Sequence, residues 1–142
     1  MLKRMLGITM ALLISTTALS DEYKWNTYDP AWDYAVKQKD NCSKGSMLEM
    51  NFCLENEYKK MDEQLNWLYK KLLSVVVYPE PLKNAQRAWL KFRDLQCEFL
   101  VPSSREGSGV PYSRNVCLID LTAKRVLDLQ QVEGCNGCVE YK

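Results

Sequence analysis

A long apolar stripe constrains the fold of this chain more than any other feature of its sequence. Apolar side chains recur at intervals of three and four residues, at Met47, Met50, Leu54, Tyr58, Met61, Leu65, Leu68 and Leu72. This is the spacing of one side of an α-helix, sustained over roughly seven turns. Ser46, with Glu49 three residues later, fits the capping box that begins many helices. We therefore expect one long helix whose apolar side packs against other elements.

A second long helix is predicted after the first. Pro79 and Pro81 end the first stripe and permit a new start. Pro102 ends the second helix, because proline lacks an N–H group and restricts the residue before it. The predicted inward side consists of Leu82, Ala85, Trp89, Phe92, Gln96 and Phe99.

Two more helices complete the predicted fold. Asp29 followed by Pro30 suits a helix start, so a short helix is expected from Pro30 to about Lys39. The last helix should run from about Arg114 to Val132, and its inward residues are Ile119, Thr122, Val126 and Leu129. The strand-like run 75–78 has no partner of similar character and is interpreted as a connector. The fold class is therefore all-α, a small bundle of three long helices and one short N-terminal helix.

The first twenty residues resemble a secretory signal peptide. Lys3 and Arg4 precede an apolar run of about ten residues, which is too short to span a bilayer as a helix. Small side chains at Ala18 and Ser20 then suit a cleavage site just before Asp21. We expect residues 1–20 to be removed and residues 21–142 to form a single domain in the periplasm or outside the cell. No membrane insertion is expected after cleavage.

Six cysteines follow this leader, at positions 42, 53, 97, 117, 135 and 138. An even number in an exported chain indicates disulfides, although six cysteines allow 15 pairings. Cys97 and Cys117 flank a loop at residues 103–113 between two antiparallel helices, so we expect them to pair. Proximity suggests Cys42 with Cys53. Cys135 and Cys138 can form a disulfide with each other across an Asn-Gly turn. Redox-active pairs normally lie at the start of a helix, whereas this pair follows one, so we expect a structural disulfide.

Composition excludes several classes of function. The chain contains no histidine, which removes Ser-His and Cys-His catalysis and weakens any case for zinc. Once Lys3 and Arg4 leave with the leader, 17 basic residues stand against 18 acidic ones. That balance provides no basic surface for nucleic acid or for an anionic membrane. We expect no metal, no cofactor and no enzymatic activity.

Polar residues share faces with the apolar stripes on the two long helices. Asp62, Asn66 and Tyr69 lie three and four residues apart on the first helix, and Gln86, Arg87 and Arg93 lie on the second. A buried arginine needs a carboxylate or carbonyl groups around it, so these six residues are expected to form a structural network, in which Arg93 with Asp62 is one candidate pair. The alternative is a catalytic pair of Asp62 with Asp94, which only the residue types support.

A family resemblance rests on short blocks that occur in a fixed order. They are Cys42, Met50–Cys53, Asp62-x-x-Leu65-Asn66-x-x-Tyr69, Gln86-Arg87-Ala88-Trp89-x-x-Phe92-Arg93-Asp94-x-x-Cys97, Gly107-Ser108, Cys117 and Leu121-Thr122-x-x-Arg125-x-x-x-Leu129. Together they resemble the LprI-like family of exported bacterial proteins, which is named for a lysozyme inhibitor. The resemblance covers residues 42 to about 130 and implies a protein partner, a lysozyme or related glycoside hydrolase.

The function expected from this resemblance is inhibition of a lysozyme-type peptidoglycan hydrolase through its active-site cleft. Such a cleft carries two carboxyl groups, and an arginine can hydrogen-bond a carboxylate at two points. The loop between Cys97 and Cys117 offers suitable residues, namely Ser104, Arg105, Gly107, Ser108 and Tyr112. The aromatic segment 21–40 is a second location for the site. The alternative function is an immunity protein, or another envelope protein that binds a different partner.

Overall fold

The computed structural model describes residues 30–101, 107, 109–135 and 137–142. These residues form four helices, α1 (Pro30–Asn41), α2 (Met47–Val75), α3 (Pro79–Phe99) and α4 (Gly109–Gly134). Within these ranges there is no strand, only an isolated antiparallel bridge between Val76 and Tyr141. The prediction of an all-α bundle with one short and three long helices is confirmed. The predicted signal peptide lies outside the described residues.

The start of α2 follows directly from local chemistry. The Ser46 side chain accepts a hydrogen bond from the Glu49 amide at 3.3 Å, and the Glu49 carboxylate accepts one from the Ser46 amide at 2.7 Å. These bonds satisfy amide groups that have no partner within the helix. The hydrogen bond from the Ser46 amide is the main reason why the pKa of Glu49 lies below its ordinary value. The predicted capping box is present.

Apolar packing between α2 and α4 forms the centre of the bundle. The main cluster of buried residues consists of Met61, Leu65, Leu68, Leu72, Ala123, Val126 and Leu129. A second cluster joins α1 to the same pair of helices through Ala35, Cys42, Leu54 and Ile119. Each fully buried leucine contributes roughly 1.5–3 kcal/mol relative to an exposed one. The predicted inward residues of the last helix, including Thr122, are all buried.

The start of α4 corrects one predicted boundary. The helix begins at Gly109, five residues before the expected start at Arg114. Pro111 therefore lies in the first turn, where proline is tolerated because the early amide groups have no partner within the helix. The Val110 amide bonds to the Gly107 carbonyl at 3.3 Å, just before this turn. As a result, Tyr112 belongs to the helix rather than to the loop.

The orientation of α3 corrects a second prediction. Its buried residues are Gln86, Arg93 and Cys97. Phe92 and Phe99, which were expected to point inward, are 53% and 78% exposed. Successive helical residues point about 100° apart, so a rotation that turns Arg93 towards the other helices turns Phe92 outward. The prediction is therefore wrong for Phe92, Phe99 and the exposed Ala85, whereas Leu82 and Trp89 pack against the main apolar cluster as expected.

Three disulfides join the described cysteines. Cys42–Cys53 ties α1 to α2, and Cys97–Cys117 ties α3 to α4, with Cα–Cα distances of 5.5 Å and 5.6 Å. Cys135–Cys138 closes a short loop after α4. These are the three pairs proposed from the sequence.

The C-terminal tail packs against the connector that follows α2. The Val77 amide donates to the Glu140 carbonyl, and the Lys142 amide donates to the Val75 carbonyl, both at 2.8 Å. The Tyr141 hydroxyl donates to the Val132 carbonyl at 2.7 Å. The strand-like run at 75–78 thus has a partner after all, a short tail segment beyond the last helix.

Candidate functional site

The predicted inhibitory loop follows α3 in the sequence, at the end of the helix that carries Cys97. Cys97 is fully buried, and its disulfide to Cys117 holds the end of α3 against the first half of α4. The disulfide fixes α3 to α4 at a point two residues before α3 ends and eight residues after α4 begins. Of the five residues predicted for the loop, Ser104, Arg105 and Ser108 lie outside the described residues.

The other two predicted loop residues have structural roles. Gly107 adopts a φ of 122°, a conformation that residues with a side chain rarely adopt. Tyr112 is half-buried in the first turns of α4 and packs against the cluster that contains Ala35, Leu54 and Ile119. Tyr112 therefore anchors the returning end of the loop instead of projecting from it.

A buried arginine organises the middle of α3. Arg93 is 6% exposed, and its guanidinium donates to Asp62 on α2 and to Asp94, each at 3.0 Å. Its guanidinium carbon also lies 5.3 Å from the centroid of the Trp89 ring and 5.6 Å from that of Tyr58. We call these five residues the Arg93 cluster. The cluster attaches α3 to α2 by charge-assisted hydrogen bonds and cation–π contacts.

Within the Arg93 cluster, both carboxylates accept hydrogen bonds from the guanidinium of Arg93. The pair that could have been catalytic, Asp62 and Asp94, is arranged around Arg93, and the other oxygen of Asp62 accepts a hydrogen bond from Asn66 at 2.9 Å. Burial raises the pKa of the Tyr58 hydroxyl, while the charge of Arg93 acts in the opposite direction. This arrangement supports a structural network.

A second arginine extends the network along α4. Arg125 donates to the side chain of the buried Gln86 at 3.0 Å, and its guanidinium carbon lies 5.8 Å from the centroid of the Trp89 ring. Trp89 therefore has both Arg93 and Arg125 beside its ring. Burial lowers the pKa of Arg125, and nearby Asp128 offsets part of this effect. Gln86, Trp89 and Arg93, which lie in one sequence block, are thus joined with Arg125 in one set of contacts.

The predicted polar network is only partly assembled. Asp62, Asn66, Gln86 and Arg93 belong to it, whereas Arg87 is exposed on the outer side of α3. Tyr69 instead packs against the apolar cluster between α2 and α4. The prediction omitted Tyr58 and Arg125 as members of the network, although Arg125 occurs in the sequence blocks that carry the family resemblance.

A groove lies at the other end of α3, away from Cys97. It has a volume of about 410 Å³ and is lined by Leu72, Val76, Tyr78, Pro81, Leu82, Ala85, Arg125, Asp128, Leu129, Val132, Val139 and Glu140. Its walls are mostly apolar, and its charged groups come from α4 and the C-terminal tail. The groove is thus separate from the disulfide-tied loop.

The described residues contain neither a metal-binding cluster nor a membrane-spanning helix. Among residues 30–101 and the described parts of 107–142, no group of three or more acidic or cysteine side chains is arranged to hold a metal ion. In the same ranges, no helix is both long enough and apolar enough to cross a membrane.

The chain matches one family model and is similar to two bacterial proteins described below. A family model described as "Lysozyme inhibitor LprI" matches residues 39–129. The chain is 32% identical over 114 residues to the uncharacterized protein R02472 of Rhizobium meliloti (strain 1021), covering 69% of this chain and 82% of that protein. It is 26% identical over 144 residues to the uncharacterized protein YecT of Escherichia coli (strain K12), covering 89% of each. No solved structure matches the chain.

Proposed function

Because the chain belongs to the LprI family of lysozyme inhibitors, we propose that it binds and inhibits a lysozyme-type peptidoglycan hydrolase. The family match across residues 39–129 is the observation that carries this proposal. The matched region contains all of α2 and α3, and with them the five residues of the Arg93 cluster. The protein would act by covering its target, with no reaction of its own.

The disulfide-tied loop is our proposed contact with the target. Arg105 lies in the segment between α3 and α4, which Cys97–Cys117 joins at a Cα–Cα distance of 5.6 Å, and we expect this support to reduce the entropy lost when the loop binds. A lysozyme-type cleft presents carboxyl groups, to which an arginine can donate two hydrogen bonds. Ser104 and Ser108 add small donors that fit a narrow cleft.

A direct assay tests the proposed function. Purified protein with its three disulfides intact should slow hydrolysis of peptidoglycan by a lysozyme in a dose-dependent way. The same preparation after reduction of its disulfides serves as a control, because loss of Cys97–Cys117 should release the loop. Absence of inhibition by the folded, oxidised protein would contradict the proposal and favour a different envelope partner, such as a toxin for which the protein provides immunity.

Substitutions in the loop test the proposed contact. Arg105→Ala should weaken inhibition by about 1–3 kcal/mol, the usual range for a hydrogen bond to a charged group, and Ser108→Ala should have a smaller effect. Arg87→Ala is a matched control, because Arg87 is an exposed arginine on α3 away from the loop. Melting temperatures should be unchanged in all three variants. If wild type and both loop variants inhibit equally, the contact does not lie in the loop, and residues 21–40 become the next candidate.

We also propose that the protein is exported and works in the periplasm or outside the cell. The basic, apolar and small-residue regions of residues 1–20 support removal of a signal peptide before Asp21. The intact mass of protein recovered from the periplasm or medium should therefore lack about twenty residues. A full-length mass in that fraction would contradict this maturation.

A further inference from the structure

The outer side of α3 carries an apolar seam. Ala85, Ala88, Phe92, Leu95 and Phe99 follow one another at alternating intervals of three and four residues, and all five are exposed. The exposed fractions of Phe92, Leu95 and Phe99 are 53%, 56% and 78%. We call these five residues the α3 seam. It extends about 21 Å along the helix, at 1.5 Å per residue.

The spacing of the α3 seam is that of two helices that pack against each other. Alternation of three and four residues is the heptad pattern, in which apolar side chains of one helix fit between those of a second helix. The opposite side of α3 is already occupied by Gln86, Arg93 and Cys97, which face α2 and α4. A continuous exposed apolar strip of this kind marks a surface that binds another protein.

We propose that the α3 seam binds the same seam of a second copy, with the two helices antiparallel. Most homodimers have twofold symmetry, in which the same patch of each copy faces the other. With the twofold axis between Phe92 and Leu95, Phe92 of one copy faces Leu95 of the second. Phe99 of each copy then faces Ala88 of the other. A large side chain opposes a small one at both ends, as close packing requires.

Charges beside the seam favour the antiparallel orientation. Lys91 and Glu98 are exposed, lie one heptad apart, and flank the same side of the seam. In the antiparallel pair, Lys91 of each copy lies beside Glu98 of the other, which creates two pairs of opposite charge. In a parallel pair in register, Lys91 would instead face Gln96, and no such pairing would form. Complementary charges at the edge of an interface select the orientation more than they add affinity.

This dimer is compatible with the proposed inhibitory loop. Each loop follows the end of its own α3, so antiparallel helices place the two loops at opposite ends of the pair. A dimer would therefore present two separate target-binding ends. The proposal does not depend on inhibition, because it rests on the exposed side of α3 alone.

Sedimentation measurements over a range of concentrations test the dimer. The oxidised protein should convert from monomer to dimer as its concentration rises, and Leu95→Glu should abolish the dimer by placing like charges close to the twofold axis. Phe52→Glu is the matched control, because Phe52 is 64% exposed but lies on α2. A monomer at every concentration would overturn the proposal. A dimer that survives Leu95→Glu, or is lost in Phe52→Glu, would overturn the assignment to α3.

A charge exchange tests the orientation. Lys91→Glu should weaken the dimer roughly tenfold, because it places two like charges together at each end of the interface. The double variant Lys91→Glu/Glu98→Lys should regain the wild-type dissociation constant. Since both positions are on the surface, circular dichroism and melting temperature should remain those of the wild type. Failure of the double variant to recover would overturn the antiparallel arrangement.

Discussion

Different interactions hold α2 to α4 and attach α3 to that pair. α2 and α4 share a cluster of leucine, valine, methionine and alanine side chains that are at most 6% exposed. α3 buries a glutamine, an arginine and a half-cystine on its inner side, where the half-buried Leu82 and Trp89 also contact the apolar cluster. Apolar contacts are non-directional, whereas hydrogen bonds and disulfides require defined geometry. The first region contains most of the buried apolar side chains, and the directional contacts of the second set the rotation and position of one helix.

This difference explains why α3 has an exposed apolar side. The rotation that lets Arg93 reach Asp62, and Cys97 reach Cys117, also directs Phe92 and Phe99 towards solvent. Had α3 packed by its apolar side, Arg93 would have been exposed and the disulfide geometry lost. The directional contacts therefore create the surface that we assign to a second copy of the chain.

The largest effect should come from breaking the apolar region. Leu65 is fully buried between α2 and α4, so Leu65→Ala should destabilise the protein by about 4 kcal/mol through lost burial and a residual cavity. Leu95→Ala, on the exposed side of α3, should change stability by less than about 0.5 kcal/mol when measured on the dilute monomer. Urea unfolding followed by circular dichroism measures both. Similar losses in the two variants would mean that α3 contributes to the core as much as α2 does.

A smaller effect should come from removing the disulfide that holds α3. Cys97→Ser with Cys117→Ser opens a loop of about twenty residues, which should cost roughly 3 kcal/mol. Removing the pair Cys135–Cys138 should matter less, because it spans a sequence separation of 3. Thermal unfolding compares the two double variants, and peptide mapping without reduction checks the pairing. A Cys97 peptide linked to any cysteine other than Cys117 would contradict the antiparallel contact of α3 with α4.

The smallest effect should come from weakening the polar attachment alone. Asp62→Asn keeps the shape of the side chain but removes the charge that Arg93 contacts at 3.0 Å. We expect a loss of about 1.5 kcal/mol, since Arg93 retains Asp94 and Asp62 is partly exposed. Glu80→Gln is the control, because its pair with Lys83 is on the surface, where ion pairs contribute little to stability. An effect of Asp62→Asn no larger than that of Glu80→Gln would show that the Arg93 cluster contributes little to holding α3.

The sequence was a good guide wherever local chemistry decides the outcome. The capping box at Ser46 and the proline boundaries of α3 depend on residues close together in the chain, so they were predicted well. The start of α4 was placed too late because glycine, serine and proline at 107–113 resemble a loop. Proline in a first turn is compatible with a helix, and packing against neighbouring helices stabilises a helical turn that the local sequence does not favour.

Sequence alone thus established the helical class, the number of helices, the buried side of α2 and the proximity of Cys97 to Cys117. Each of these follows from periodicity, capping or short-range chain geometry. Tertiary structure decided which side of α3 faces inward, because α3 carries an apolar side and a polar side and both could be buried. In the structure, the side that carries Arg93 faces inward. The Arg93 guanidinium bonds to Asp62, 31 residues away on α2, and to the adjacent Asp94 on α3. The sequence named Asp62 as a candidate partner of Arg93, but the choice between the two sides depends on how α2, α3 and α4 are placed together, which periodicity does not give.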